Sequence, residues 1–168
     1  QWGFNTGNDT HWFLSAMILE NGGQIVSADE QHMLYNSPEA VAMLQLWSDW
    51  VNMYKIMPAN QHQEAQSDFL SGKLGMLIGS TSNVTSIQSQ ATFPVGTAMF
   101  PAVGTNRKVP LGGGSLAIFK NADTRLTDAS WEFVKFMASP ETSVYLTAHT
   151  GYIPIYLDAL DTPEIQAV

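Results

Sequence analysis

The sequence has no cysteine among its 168 residues. Disulfide bonds, thiolate metal ligands and a cysteine nucleophile are therefore excluded within this chain. Basic residues are also scarce, since seven Lys and Arg stand against fifteen Asp and Glu, which gives a formal net charge of −8. With so little positive charge, the chain is a poor partner for nucleic acids and for anionic membrane surfaces.

Long apolar runs are missing as well. The longest apolar stretch, Trp12–Leu19, falls well short of the roughly 20 residues that span a bilayer, and it predicts a short buried helix. The chain starts at Gln1 with no methionine, basic leader or apolar signal segment. From this we expect a processed protein or an excised piece of a longer one.

Motifs for catalysis and cofactor binding are absent. The sequence contains no GxSxG elbow, no Walker loop and no GxGxxG fingerprint. The four histidines share no metal-ligand spacing, so we interpret them as surface or capping residues. We expect no catalytic residue, no metal and no cofactor.

What the sequence does contain is a hydrophobic share of 45%, enough to bury a core. Short apolar runs alternate with helical patterns, which predicts an α/β fold with a small sheet flanked by helices. Asn8-Asp9-Thr10 supply capping residues for the first helix. The predicted helices are Trp12–Glu20, a helix opened by Ser37-Pro38-Glu39, Glu64–Ser71, Asn83–Gln90, Leu126–Met137 and Glu141–Thr147; the predicted strands are Leu74–Ile78, Thr97–Phe100 and Leu116–Phe119.

The stretch Phe69–Ser82 predicts a place for a ligand. It combines a helix end, a glycine turn at Gly72, a buried strand and the small-residue turn Gly79-Ser80-Thr81-Ser82. A helix that begins at this turn would direct its free amide hydrogens at whatever lies above the strand. The same pattern also occurs in ordinary α/β scaffolds that bind nothing, and the stretch alone leaves both interpretations open.

Three other features have a structural and a ligand-binding interpretation. The glycines of Gly112–Gly114 allow a ligand to approach the backbone, and they equally suit a bulge or a tight crossing. Tyr152 lies in a turn between Gly151 and Pro154, where core packing and ligand contact are equally compatible with the pattern. Trp12 leads an apolar helix, a position typical of the core, although it could stack on a sugar ring.

Several of these pieces occur together in an order that resembles a known family, the family 1 extracellular solute-binding proteins of bacterial ABC importers. This group contains the maltose-binding and glycerol-3-phosphate-binding proteins. The resemblance extends from Gly3 to about Leu160. The motifs that carry it are Asn21-Gly22-Gly23, Ser37-Pro38-Glu39-Ala40, Phe69-Leu70-Ser71-Gly72-Lys73-Leu74-Gly75-Met76, Gly79-Ser80, Phe93-Pro94-Val95-Gly96, Phe100-Pro101, Gly112-Gly113-Gly114-Ser115-Leu116, Ala129–Phe136, Ser139-Pro140-Glu141 and Thr150-Gly151-Tyr152-Ile153-Pro154.

The resemblance implies a type II periplasmic-binding-protein fold, in which two α/β lobes with small mixed sheets close on a ligand. Residues 1–168 resemble a single lobe, the C-terminal one, without the N-terminal lobe and the final helices. The implied function is the substrate-binding component of an ABC transporter that imports a sugar or a sugar-like polyol. The implied partners are the solute and the membrane subunits of the transporter, with a monomeric receptor in the periplasm or at the extracellular face of the bacterial membrane.

By matching motif, the resemblance implies that six residues face the ligand cleft: Trp12, Ser80, Thr81, Gly113, Gly114 and Tyr152. Glycerol 3-phosphate or a glycerophosphodiester is the alternative solute within the same family. Two other classes stay open from the residues themselves. One is a small serine hydrolase that uses Ser80 or Ser115 with His149, and the other is an interaction module with an exposed apolar face.

Overall fold

The computed structural model describes residues 1–7, 10–102, 106–120 and 123–167. The chain separates into two compact units. Unit 1 comprises Gln1–Gly79 and Gln90–Leu111, and unit 2 comprises Ser80–Ser89 and Gly112–Val168. The expectation that residues 1–168 form a single lobe stays a prediction. None of the helices within the described ranges is both long and apolar enough to cross a membrane.

Unit 1 is built on two parallel strands and three helices. Strand β1 (Trp2–Thr6) pairs with β2 (Leu74–Ile78), with Trp2 opposite Leu74 and Thr6 opposite Ile78. The helices are α1 (Thr10–Glu20), α2 (Pro38–Asn52) and α3 (Ala65–Leu70). The predicted α/β class is confirmed, and the described sheet contains only these two parallel strands. The predicted caps Asn8 and Asp9 lie outside the described residues.

Local signals account for the start of α2 and for the turn before β2. The Ser37 hydroxyl accepts a hydrogen bond from the Ala40 amide at 3.2 Å, and Pro38 occupies the first helical turn, as predicted. After α3, Gly72 adopts a φ of 72°. This left-handed conformation suits glycine and reverses the chain into β2, so the predicted glycine turn is confirmed.

The core of unit 1 is aromatic and lies between the strands and helices α1 and α2. Phe4 packs edge-on against Trp50, with ring centroids 5.1 Å apart, and Phe13 packs edge-on against Trp47 at 4.8 Å. Helix α1 is mostly buried, as predicted from its apolar composition. The core cluster consists of Phe4, Phe13, Met17, Ile18, Ala40, Met43 and Met57.

Unit 2 is helical in its described part. A 3₁₀ turn (Thr81–Asn83) leads into α4 (Val84–Gln90), and α5 (Thr124–Met137) and α6 (Pro140–Thr150) follow. A second 3₁₀ segment (Leu157–Asp161) and α7 (Pro163–Gln166) lie at the end of the described chain. The buried residues in the described part of unit 2 are small or polar, namely Thr142, Ser143, Thr147 and Ala159.

Caps explain the boundaries of α5 and α6. Asp123 accepts a hydrogen bond from the Arg125 amide at 3.0 Å, and the Ser139 hydroxyl accepts one from Thr142 at 3.2 Å. Helix α6 ends at Gly151, whose φ of 84° is left-handed. The opening signal at Ser139-Pro140-Glu141 is therefore confirmed.

Two predicted strands are wrong. Neither Thr97–Phe100 nor Leu116–Phe119 forms a strand in the structure. A strand is stabilised by hydrogen bonds to a neighbour, and the sheet of the described chain consists of β1 and β2 alone. Phe119 is largely exposed, so this apolar run is not buried as a core strand would be.

Candidate ligand-binding site

Unit 1 supplies a polar cleft at the carboxyl end of β1. The cleft has a volume of about 450 Å³ and is lined by Thr10, Asn60, His62, Gln63 and Glu64; we call it the Thr10 cleft. In α/β proteins, ligands bind outside the carboxyl ends of parallel strands, which is where this cleft opens. Its lining is polar and contains no Lys or Arg.

Trp12 lies on the first turns of α1 and is 40% exposed. Its neighbours on the same helix, Phe13 and Ala16, are buried. The Trp12 ring lies 5.5 Å from that of His11. Of the two interpretations that the sequence left open, the fully buried core position does not apply, and the indole is accessible to a ligand.

His62 is a candidate that the sequence did not single out as a ligand contact. Its Nδ1 lies 3.3 Å from the Thr6 carbonyl oxygen, and its ring packs edge-on against Trp47 at 6.1 Å. These contacts hold the imidazole at the rim of the Thr10 cleft. Because Thr6 is 56 residues distant in sequence, no local pattern could reveal this placement.

Unit 2 presents Ser80 and Thr81 at the start of its first 3₁₀ turn, and both are exposed. The Ser80 hydroxyl accepts a hydrogen bond from the Ser82 amide at 3.3 Å and another from the Ser82 hydroxyl at 2.9 Å. Since Ser80 caps this amide itself, the turn has fewer free donors than a bare helix start. Its hydroxyls remain available for a neutral polar ligand.

The Tyr152 turn packs directly on that 3₁₀ turn. A Cβ atom placed on Gly151 would overlap the Thr81 carbonyl oxygen and lie 3.2 Å from the Cβ of Val84. Only a glycine allows this approach, and the left-handed φ of Gly151 favours the same residue. Tyr152 itself is 52% exposed, and its amide donates to the Thr150 hydroxyl at 3.1 Å. The structure therefore packs the turn that carries Tyr152 against Thr81 within unit 2.

Gly113 and Gly114 are exposed and lie outside any helix or strand. A Cβ on either residue would meet no described atom within 4 Å, so no tight crossing within the described chain accounts for these glycines. No hydrogen bond of the described chain joins them to Ser80, Thr81 or Tyr152. Their role as ligand contacts stays a prediction.

The arrangement required of a serine hydrolase is not formed in the described chain. The Nδ1 of His149 lies 2.8 Å from the Tyr145 carbonyl oxygen, and its ring stacks on that of Tyr145 at 4.1 Å. No hydrogen bond links His149 to Ser80 or Ser115 across the described residues, so neither serine has the base that would activate it. Within the same ranges, no group of His, Asp and Glu side chains could hold a metal ion.

This architecture, two parallel strands with flanking helices and a polar cleft at their carboxyl ends, defines an α/β binding fold. The sequence profile of the bacterial extracellular solute-binding proteins matches residues 1–168. The chain therefore belongs to the family of bacterial extracellular solute-binding proteins, as its motifs indicated.

Individual relatives agree with this assignment. The chain is 28% identical over 160 residues to a maltotriose-binding protein of Pyrococcus abyssi, covering 92% of this chain and 35% of the relative. It is 27% identical over 136 residues to the sn-glycerol-3-phosphate-binding periplasmic protein UgpB of Pectobacterium atrosepticum, covering 79% and 31%. The chain thus spans about a third of the length of the curated relatives it matches.

The fold is shared with solved structures. Maltose-bound MalE3 of T. maritima superposes with a TM-score of 0.84 at 22% identity, covering 99% of this chain and 45% of the other. At this identity the likeness establishes the fold, and it confirms the type II periplasmic-binding-protein class expected from the sequence.

Proposed function

We propose that this chain is part of the substrate-binding receptor of a bacterial ABC importer and that it binds a sugar or a sugar-like polyol. The observation that carries the proposal is the packing of the Gly151 turn on the Thr81 carbonyl group. This packing joins the turn that carries the exposed Tyr152 to the turn that carries the exposed Ser80 and Thr81. An aromatic ring next to neutral hydrogen-bonding groups suits a ligand with apolar ring faces and many hydroxyl groups.

In this proposal, Ser80, Thr81 and Tyr152 contact the solute from unit 2, and Trp12, Gly113 and Gly114 are further contacts. In unit 1, Thr10 and His62 line a polar cleft that is a candidate contact surface in its own right. Residues 1–168 form one lobe of a two-lobed receptor, and closure of the lobes on the solute precedes delivery to the membrane subunits. The receptor is a monomer outside the cytoplasmic membrane and is not an enzyme.

Glycerol 3-phosphate or a glycerophosphodiester is the second candidate solute, favoured by the 27% identity to the glycerol-3-phosphate-binding relative. We rank it second because a phosphate group is commonly recognised by Arg or Lys. The Thr10 cleft has none in its lining, and Ser80, Thr81 and Tyr152 are uncharged.

A thermal-shift screen of the receptor polypeptide that contains this chain tests the proposal. A tight ligand stabilises the folded receptor by mass action and so raises its melting temperature. At a ligand concentration a hundredfold above the dissociation constant, the free energy of unfolding increases by about 2.7 kcal/mol. We expect a shift with maltose, maltotriose or a polyol. A shift with glycerol 3-phosphate alone would overturn the ranking, and no shift with any of these solutes would contradict the proposed solute class.

A further inference from the structure

The loop between α2 and α3 carries His62 and forms a wall of the Thr10 cleft. The fully buried Asn5 donates from Nδ2 to the Gln61 carbonyl oxygen at 2.8 Å, and its Oδ1 accepts a hydrogen bond from the Thr6 amide at 2.9 Å. Asn5 and Gln61 are 56 residues apart, so this side chain ties the loop to the carboxyl end of β1. The backbone beside His62 is therefore held before any ligand binds, which lowers the entropy cost of binding.

The imidazole ring of His62 is itself held by two contacts. Its Nδ1 lies 3.3 Å from the Thr6 carbonyl oxygen, and the ring packs edge-on against Trp47 with centroids 6.1 Å apart. A carbonyl oxygen only accepts hydrogen bonds, so the contact with Thr6 requires the proton on Nδ1. In the neutral ring, the other nitrogen is then an unprotonated acceptor. The contact with Thr6 therefore selects the tautomer in which Nε2 accepts.

The Nε2 atom of His62 has no hydrogen-bond partner among the described residues, although the ring lines the cleft. The exposed carboxylate of Glu64, in the same lining, is likewise without a partner across the described ranges. Both groups accept hydrogen bonds and neither donates one. Because the lining contains no Lys or Arg, these acceptors are left for a ligand that brings its own donors.

We propose that His62 determines the specificity of the Thr10 cleft by accepting, at Nε2, a hydrogen bond from a hydroxyl group of the solute. This role rests on the proposed function, to which it adds the residue, the atom and the direction of the hydrogen bond. A sugar hydroxyl gives its proton to Nε2, and its oxygen accepts from the side-chain amides of Asn60 or Gln63. A fully ionised phosphate group brings only acceptors and leaves Nε2 unpaired, so the cleft selects against it.

Two variants separate the acceptor from the contact with Thr6. In His62→Asn, the amide nitrogen takes the place of Nδ1 and can donate to the Thr6 carbonyl group, but no atom reaches the position of Nε2. In His62→Gln, the longer side chain brings its amide oxygen to the position of Nε2 and loses the contact with Thr6. His32→Asn is the matched control, because His32 is an exposed histidine of unit 1 that does not line the Thr10 cleft.

The experiment is calorimetry of the receptor polypeptide that contains this chain, with maltose, maltotriose and sorbitol as the solutes. We expect His62→Asn to weaken binding about fivefold, equivalent to about 1 kcal/mol, with the melting temperature of the free receptor unchanged. His62→Gln should retain more of the affinity even though it melts at a lower temperature, and His32→Asn should bind normally. A purely structural role of His62 predicts the reverse order, because only the asparagine keeps the contact with Thr6.

The tautomer is tested without any solute. Nitrogen-15 NMR of the 168-residue chain at about pH 8, where a free histidine side chain is neutral, should show a protonated Nδ1 and an unprotonated Nε2 for His62. Comparison with the spectrum of His62→Asn assigns these signals.

Three results would overturn the role of His62 and leave the proposed solute class intact. They are an unchanged affinity in His62→Asn, tighter binding by His62→Asn than by His62→Gln, and a protonated Nε2 in the neutral ring. If the unsubstituted receptor binds none of the three solutes, the proposed function and the role of His62 are refuted together.

Discussion

Replacement of Gly151 by alanine tests the packing on which the candidate site depends. The new methyl group would overlap the Thr81 carbonyl oxygen, which belongs to the backbone and cannot rotate away. Placing a non-glycine residue in the left-handed region costs about 1–2 kcal/mol, and overpacking against a fixed neighbour adds about 1–3 kcal/mol. We therefore expect Gly151→Ala to destabilise unit 2 by about 2–5 kcal/mol.

Gly72→Ala is the matched control. Gly72 has a similar left-handed φ of 72°, but a Cβ there would meet no described atom within 4 Å. Gly72→Ala therefore carries only the conformational cost of about 1–2 kcal/mol, and the lower conformational entropy of the unfolded chain partly offsets this cost. The difference between the two variants isolates the contact between the Gly151 turn and Thr81.

The assay is urea unfolding followed by the indole NH signals. Trp131 reports on unit 2, and Trp47 and Trp50 report on unit 1. Gly151→Ala should lower the midpoint at Trp131, and Gly72→Ala should affect the unit 1 signals by a smaller free energy. Equal losses of unfolding free energy in the two variants would refute the inferred packing of the Tyr152 turn on Thr81.

Three further predictions concern stability, pH and the isolated chain. Glu20 is 2% exposed and its Oε2 has no hydrogen-bond partner among the described residues, so Glu20→Met should raise the free energy of unfolding by about 1–3 kcal/mol. The exposed control Glu132→Met should change it by less than about 0.5 kcal/mol, and a loss of stability in Glu20→Met would show that the carboxylate has a stabilising partner. The hydrogen bonds from Arg125 lower the pKa of Asp123 below its ordinary value of 3.8. The ionised carboxylate therefore stabilises α5 above that value, and this stabilisation is lost as the pH falls through the lowered pKa. Asp123→Asn should remove the acid-dependent loss of protection of α5 in amide hydrogen exchange, and an unchanged pH profile in this variant would contradict the prediction. If residues 1–168 are one lobe of a two-lobed receptor, as proposed, the 168-residue chain alone should bind maltotriose only at millimolar concentrations, because closure needs contacts from both lobes. Calorimetry that gives a micromolar dissociation constant would refute this.

The sequence predicted the elements whose signals are local. Ser37-Pro38 and Ser139-Pro140 open helices because a hydroxyl cap and a proline favour a first turn whatever the rest of the chain does. Leu74–Ile78 is followed directly by Gly79 and is preceded, across Lys73, by the turn at Gly72, whose left-handed φ is a local backbone property. The motif order was specific enough to indicate the family.

What the sequence could not predict depends on distant contacts. Leu116–Phe119 has an apolar strand pattern, but a strand requires a neighbour that local composition cannot supply. The placement of His62 depends on Thr6, 56 residues away, and the packing of Gly151 depends on Thr81. For the same reason the pattern left Trp12 and Tyr152 open between core and ligand contact, and only their exposed fractions show that neither is fully buried.

The most direct test of the proposed function is calorimetry of the solute identified by the thermal-shift screen, with Tyr152→Ala in the receptor that contains this chain. Tyr145→Ala is the control, because Tyr145 is an exposed tyrosine of the same unit that lies outside the candidate site. We predict that Tyr152→Ala weakens binding at least tenfold, about 1.4 kcal/mol, with the melting temperature of the free receptor unchanged, whereas Tyr145→Ala binds normally. Unchanged affinity together with a lowered melting temperature in Tyr152→Ala would contradict the proposal and assign Tyr152 to packing.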